Sequence, residues 1–272
     1  MVNESHKHII RHRAIRALKL GLTLNLWLAC LSALITTTTG IGLALPLRQI
    51  LPATALPPLV FLFMYIEDRR EITPDDHINH PIRTQLIEQH TTTLRFISTI
   101  AIVGYLLLTT TLAICAHGIS PTTLVYILLA QTPIIFTAVY DSLKHSVPGV
   151  DTVAVAGTWV ITTTYPIGLT ATIPLSPHLF SIGLGWFCII AAGVESRNIN
   201  DIEGDAETDR ETIAARLGAT TTARLVVAGK ALGVILIGIP APTLLAPALA
   251  TLHIGLLRLF RHLTDHITST TA

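Results

Sequence analysis

Residues 96–140 read FISTIAIVGYLLLTTTLAICAHGISPTTLVYILLAQTPIIFTAVY, with no Asp, Glu, Lys or Arg anywhere in the run. Gly118, Ser120 and Pro121 punctuate it near the middle. Each half is then about 20 residues long, the length an α-helix needs to cross the hydrocarbon of a bilayer. The same vacancy of charge recurs on both sides. No formal charge falls between Gln49 and Ile66 or between Thr152 and Val194, and Leu225–Leu257 holds only Lys230. Divided at Pro and Gly, these runs predict spans near 20–44, 48–66, 96–115, 121–140, 152–172, 178–195, 223–239 and 241–258. Hydrocarbon offers no partners to backbone polar groups, so each span is expected to be helical.

Composition points the same way. Of 272 residues, 50% are apolar and only 13% charged, and the mean hydropathy is +0.60. A soluble domain carries about a quarter charged residues, which argues against a soluble enzyme. The abundance of apolar residues excludes disorder. A net charge of +1 gives no reason to expect nucleic acid. Cys30, Cys115 and Cys188 all lie in apolar stretches and form neither a metal spacing nor a disulfide framework. The first apolar segment is too long for a cleaved signal peptide, and no small-residue cleavage site precedes a soluble body. The expected fold is therefore an all-α, polytopic transmembrane helix bundle of about eight spans. It forms one domain over 1–272, with a basic segment at 1–18 and a tail at 263–272.

Orientation follows from Lys and Arg in short connections. The segment KHIIRHRAIRALK (7–19) is strongly basic and is expected on the cytoplasmic side of the cell membrane. Eight spans then place 67–95, 141–151, 196–222 and the C-terminal tail on that same side. The opposite connections, near 45–47, 116–120, 173–177 and 240, are almost free of charge. Only Arg48 falls outside, and Lys230 lies within a span. The two halves of the chain resemble one another, each carrying an acid-rich segment after its second span. Such internal duplication tends to put the working site at the interface between halves.

The second acid-rich segment, ESRNINDIEGDAETDRE (195–211), holds Asp201, Asp205 and Asp209 at i, i+4, i+8. On a helix these carboxylates share one face and repel one another unless a cation holds them. Magnesium takes one or two carboxylates, keeps several waters and bridges to substrate phosphates. Arg197, Asn198 and Arg210 flank the row, and an Arg grips a phosphate in bidentate fashion. The first segment, EDRREITPDD (67–76), is less regular, with Glu67, Asp68, Glu71, Asp75 and Asp76. Pro74 disturbs any helix there. Two acidic rows on one membrane face suit metal ions gripping one diphosphate. Lys144, four residues after Tyr140, is placed to neutralise a leaving diphosphate, with Tyr140 donating a hydrogen bond.

Each feature also has a plainer reading. A charge run between spans is most often a solvated loop; two such runs in corresponding places, one with a four-residue repeat, favour metal and diphosphate. Lys144 alone reads as a topology signal. Lys230 is expected to snorkel to the interface, Asp151 to cap a helix, and Trp27, Trp159 and Trp186 to pack or to mark the interface.

The run N-x-x-D-I-E-G-D-x-x-x-D-R-x-T-x-A-x-x-L-G, from Asn198 to Gly218, closely resembles the second aspartate motif of the UbiA family of intramembrane prenyltransferases. Asn79, Pro81 and Arg83 resemble the run that follows the family's first motif. Tyr140 and Lys144 match its Y-x-x-x-K element. All three come in family order, and the resemblance covers roughly residues 15–260. The departures are specific. Aligned on Asn79, Asp76 takes the last family aspartate, Asp68 falls on the family's Asn, and Arg69 and Ile72 replace two aspartates. One inserted residue gives instead Glu67-Asp68-x-x-Glu71-x-x-x-Asp75. Thr84 stands where a proline is usual, and eight spans are expected where the family typically has nine.

The resemblance implies two four-helix halves around a central cavity open to lipid. A polyprenyl diphosphate would lie with its tail among the helices. Mg2+ would be held by Asp201, Asp205 and Asp209 with Asp68, Glu71, Asp75 or Asp76. Arg197, Asn198, Arg210, Asn79, Arg83 and Arg69 would face the diphosphate, and Lys144 and Tyr140 would assist its departure. The acceptor would be lipophilic: a lipid, an isoprenoid or carotenoid, or a quinone precursor. The Tyr65-x-x-Asp68-Arg69 start looks most like divergent archaeal-type members. Two other classes are weighed. A CDP-alcohol phosphotransferase needs D-x-x-D-G-x-x-A-R, whereas Gly204-Asp205 runs in the reverse order and no A-R follows. A non-catalytic or transport protein would be marked by broken spans and intramembrane charge, to which only Lys230, Pro133 and Pro166 point.

Overall fold

A helix occupies each of the eight places where the charge-free runs predict one, and the described residues contain no strand. The computed structural model describes residues 21, 22, 24, 26–70, 72, 81–144, 149–171, 176–207 and 212–269; for 81, 82, 141–144, 203–207 and 265–269 it gives the course of the backbone alone. In chain order the helices are α1 Trp27–Gly42, α2 Leu47–Thr54, α3 Leu56–Arg70, α4 Pro81–His117, α5 Pro121–Ala130, α6 Thr132–Lys144, α7 Val150–Ala171, α8 Pro177–Glu207, α9 Ile213–Leu217, α10 Ala219–Gly238 and α11 Leu245–Ser269.

Five stretches are long and apolar enough to cross a membrane: Leu47–Arg70, Arg83–His117, Pro121–Tyr140, Pro177–Ile202 and Ala219–Gly238. By length and composition this is a multi-pass membrane protein. The other three predicted spans differ for physical reasons. Among the described residues α1 has 16 residues, which at 1.5 Å per residue gives about 24 Å. The second half of α11 carries Arg258, His262 and Arg261. α7 is long enough at 22 residues but rich in threonine, and it sits in the middle of the bundle. It packs against α1, α2, α6 and α8, with lesser contact to α3, α4 and α5. Its side faces protein instead of lipid, so it has little need of hydrocarbon. Three of its hydroxyls are satisfied internally: Thr163 and Thr164 donate to the Trp159 and Val160 carbonyls at 2.7 and 2.6 Å, and Thr170 donates to the Gln49 carbonyl at 2.7 Å; the buried Thr162 hydroxyl has no partner among the described residues.

Two spans are broken where the chemistry of proline requires it. The first is divided at Ala55 into α2 and α3, with Pro52 inside α2 and Pro57 and Pro58 in the first turn of α3. The second is divided at Gln131, just before Pro133, which has no N–H to continue the ladder. α5 begins in the expected manner. Ser120 accepts the Thr123 N–H at 3.3 Å, and Pro121 occupies the first helical position.

The core runs between α1, α3, α7, α8 and α10, where Ile35, Phe61, Trp159, Trp186 and Ile237 form one buried cluster. Phe61 and Trp159 lie 4.0 Å apart by ring centroid, and Trp27 stacks on Phe260 at 5.1 Å. All three tryptophans are buried, so the packing alternative describes them. α8 and α10 make the closest pairing in the molecule. A Cβ added at Gly185 would lie 2.6 Å from the Gly233 carbonyl oxygen, and one at Gly233 would lie 2.5 Å from that of Gly185. Glycines at such a crossing let two backbones meet, a means of holding helices together where lipid removes the hydrophobic drive.

Candidate functional site

The long helices carry the acid-rich segments past their apolar spans. α8 continues through Glu207, so Asn198, Asp201 and Asp205 lie on one continuous helix. The i, i+4 spacing of Asp201 and Asp205 is therefore helical, as expected. α3 ends with Glu67, Asp68, Arg69 and Arg70 in its last turn. Side-chain contacts set these helix ends at one end of the bundle. Tyr65 on α3 is within electrostatic reach of Asp68, Arg69 and, from α8, Arg197. Thr152 on α7 donates to Glu195 on α8. Arg261 on α11 donates to the Gly193 carbonyl at 2.9 Å.

The acids of the first segment do different work. Glu67 receives both of its bonds to Arg70 from Nη1, at 2.8 and 2.7 Å, and also accepts the Ser98 hydroxyl from α4. It is a strut between two helices. Asp68 is 42% exposed and pairs only loosely with Arg69, at 3.7 Å. Ile72, the position where the resemblance would want an acid, packs against the apolar cluster of Leu24, Ile66, Ile87 and Leu94. Arg83, expected to face a diphosphate, is buried in the first turns of α4 beside buried Thr84. Glu71, Asp75, Asp76 and Asn79 lie outside the described residues.

In the second segment Asn198 is buried, while Asp201 projects outward and pairs with Arg197 at 3.7 Å. Both partners are about half exposed, at 48% and 49%. Tyr140 lies in the last two turns of α6 with its ring 5.2 Å from Phe136, and the backbone of Lys144 closes that helix. The side chains of Lys144 and Asp205, and all of Asp209 and Arg210, lie outside the described residues. Among the described residues no three His, Cys, Asp or Glu side chains converge.

One group at this end was not anticipated. Asp151, Thr152, Glu195 and Asn198 are all buried. The Thr152 hydroxyl lies between two carboxylates, donating to Glu195 Oε1 and 3.4 Å from Asp151 Oδ1. Glu195 Oε1 also accepts from Asn198 Nδ2 at 3.3 Å, and Glu195 Oε2 has no partner. Asp151 Oδ1 accepts the Thr152 N–H at 2.7 Å and so answers one first-turn donor of α7, from inside the first turn and not from the cap position. The signal was available in part: Glu195 sits three residues before Asn198 and so shares its side of a helix. The partner across the interface was not, because nothing in the sequence pairs 152 with 195.

No protein-family model, curated protein or solved structure matches the chain.

Proposed function

We propose that the chain is a magnesium-dependent membrane prenyltransferase with a UbiA-like arrangement of eight spans. Its N-terminus and acid-bearing helix ends would face the cytoplasm from the cell membrane. The observation that supports the reading is that Tyr65 lies within electrostatic reach of Asp68 and Arg69 of α3 and of Arg197 of α8. Half-exposed Asp201 lies one helical turn beyond Arg197. This supports reading the two acidic segments, far apart in sequence, as parts of one site.

The described donors fit magnesium in kind: Asp68, Asp201 and Asn198 offer oxygen, and a hard cation of this class prefers oxygen. Bound there with the remaining acids, magnesium would offset charge on a leaving diphosphate. The chain's own residues do the rest. Arg69 and Arg197 supply the guanidinium donors that match phosphate oxygens. The bond between the prenyl C1 and the diphosphate oxygen breaks, and its electron pair leaves on pyrophosphate. An electron pair of the lipophilic acceptor forms the new bond to C1, and the proton that the acceptor loses passes to water or a carboxylate. The apolar wall of α3, α7 and α8 keeps water from the cation until then.

The test uses the full chain in bilayers with radiolabelled geranylgeranyl diphosphate. Pyrophosphate release is expected with magnesium, and is expected to be lost with EDTA and in Asp201→Ala and Asp205→Ala. Folded protein that neither binds nor cleaves the donor overturns the reading.

A further inference from the structure

On the side of α8 turned away from the acids lies a cavity of about 220 Å³, between α8, α10 and α11. One water needs only about 10–15 Å³ by the same kind of measure. Gly193, Ser196 and Ile199 of α8 line it, and at 100° per residue they fall opposite Glu195, Asn198 and Asp201. Its floor is made of small residues; a Cβ added at Gly193 would meet nothing within 4 Å. Its charged wall is cationic among the described residues: Lys230 from α10 and Arg258 and Arg261 from α11. Lys230 is within electrostatic reach of both arginines. Arg261 is fixed by its bond to the Gly193 carbonyl at 2.9 Å, with Ser196 Oγ at 3.5 Å. No carboxylate lines the cavity among the described residues.

Lys230 and Arg258, with Arg261 beside them, repel one another on an apolar groove, and membrane proteins keep such groups only where something answers the charge. Basic pockets between membrane helices at the headgroup level hold anionic lipid headgroups. The apolar lining matches acyl chains: Val227 and Leu257 line the cavity with the cations, and Val227 is 63% exposed. Lys230 forms the inner wall of the cavity. We propose that this cavity binds the phosphate of an anionic phospholipid, with Lys230 and Arg258 as the principal contacts and Arg261 as a preset third. The site is separate from the diphosphate site proposed above and does not depend on it.

The full chain, purified in mild detergent, is incubated with an equimolar mixture of phosphatidylglycerol and phosphatidylcholine, and retained lipid is measured by native mass spectrometry. Wild type is expected to retain phosphatidylglycerol at least tenfold over phosphatidylcholine. The double variant Lys230→Met, Arg258→Gln is expected to lose that preference, and Lys230→Arg to keep it. Thermal unfolding of each variant with and without lipid separates loss of binding from loss of fold: phosphatidylglycerol raises the Tm of wild type and of Lys230→Arg and leaves the double variant unmoved. Inorganic phosphate and pyrophosphate at millimolar concentration form the third arm. Their failure to displace the lipid supports the lipid source. Their binding with no lipid preference overturns it in favour of a soluble phosphate, and equal retention of both lipids by wild type overturns the site.

Discussion

Thr152 of α7 donates its one hydroxyl hydrogen to Glu195 of α8, and the second oxygen of that buried carboxylate has no partner. Among the described residues Glu195 is thus held by Thr152 and by Asn198. Removing one of two donors to a buried carboxylate leaves it short, at a cost of about 1–3 kcal/mol. Thr152→Val is expected to lower the Tm in detergent by several degrees. Glu195→Gln keeps the shape and drops a charge that Asp151 opposes, so it is expected to hold or raise the Tm. Differential scanning fluorimetry checks both; an unchanged Tm in Thr152→Val would show that the hydroxyl contributes nothing.

The α8–α10 crossing gives a second expectation. A side chain at Gly233 would meet the Gly185 carbonyl oxygen at 2.5 Å and the Ile189 Cγ1 at 2.5 Å, and backbone cannot swing aside as a side chain can. Gly233→Leu is expected to cost about 1–3 kcal/mol or more, as overpacking does, and to reduce the yield of folded protein. Gly157, inside α7, meets nothing within 4 Å. Gly157→Ala should therefore stabilise by about 0.5–1 kcal/mol, the ordinary gain of Ala over Gly within a helix. Equal effects of the two substitutions on Tm would mean that the glycine crossing is not close.

Glu67 and Asp201 should sort into opposite classes. Glu67 joins Arg70 and Ser98 and fastens α3 to α4, so Glu67→Gln is expected to cost about 1–3 kcal/mol of stability. Asp201 is about half exposed, and its i, i+4 pair with Arg197 is worth only about 0.2–0.5 kcal/mol. Asp201→Ala is expected to leave the Tm within error while abolishing magnesium-dependent pyrophosphate release. Paired Tm and release assays on the two variants decide it; a large loss of stability in Asp201→Ala would make that acid structural.

Helix positions were legible because they depend on where charge is missing, which a sequence states directly. Residues 96–140 were divided at Gly118–Pro121, and α4 and α5 meet there. The break at Gln131 was not legible, since Pro133 was read only as a proline within one span. Nor was the partial role of α7: its threonines look merely less apolar in sequence, and only the surrounding helices show why that is tolerated. The acidic residues were visible as candidates, but sequence does not say which carboxylate is spoken for. Glu67 and Asp68 are neighbours, yet one is a strut and the other half-free. Glu195 escaped notice because its meaning comes from Thr152, distant along the chain.

The orientation of the bundle rests on α4. It runs from Pro81 to His117, about 55 Å at 1.5 Å per residue, against hydrocarbon about 30 Å thick. Its apolar part lies toward the C-terminal end, and the first turns, with Glu88, Gln89 and His90 exposed, must stand beyond the membrane on the side of the acids. Ile119, 98% exposed, marks the opposite side. Arg69, Arg70, Arg197 and Arg261 stand at the same end as the acids, and the positive charge of short connections stays cytoplasmic. With Cys30, Cys115 and Cys188 replaced by serine or alanine, Ile119→Cys is expected to react with a membrane-impermeant maleimide added to intact cells. Gln89→Cys is expected to react only after permeabilisation. The reverse pattern would invert the protein, and with it move the proposed diphosphate site to the outer face; reaction of both from outside would mean that α4 does not cross.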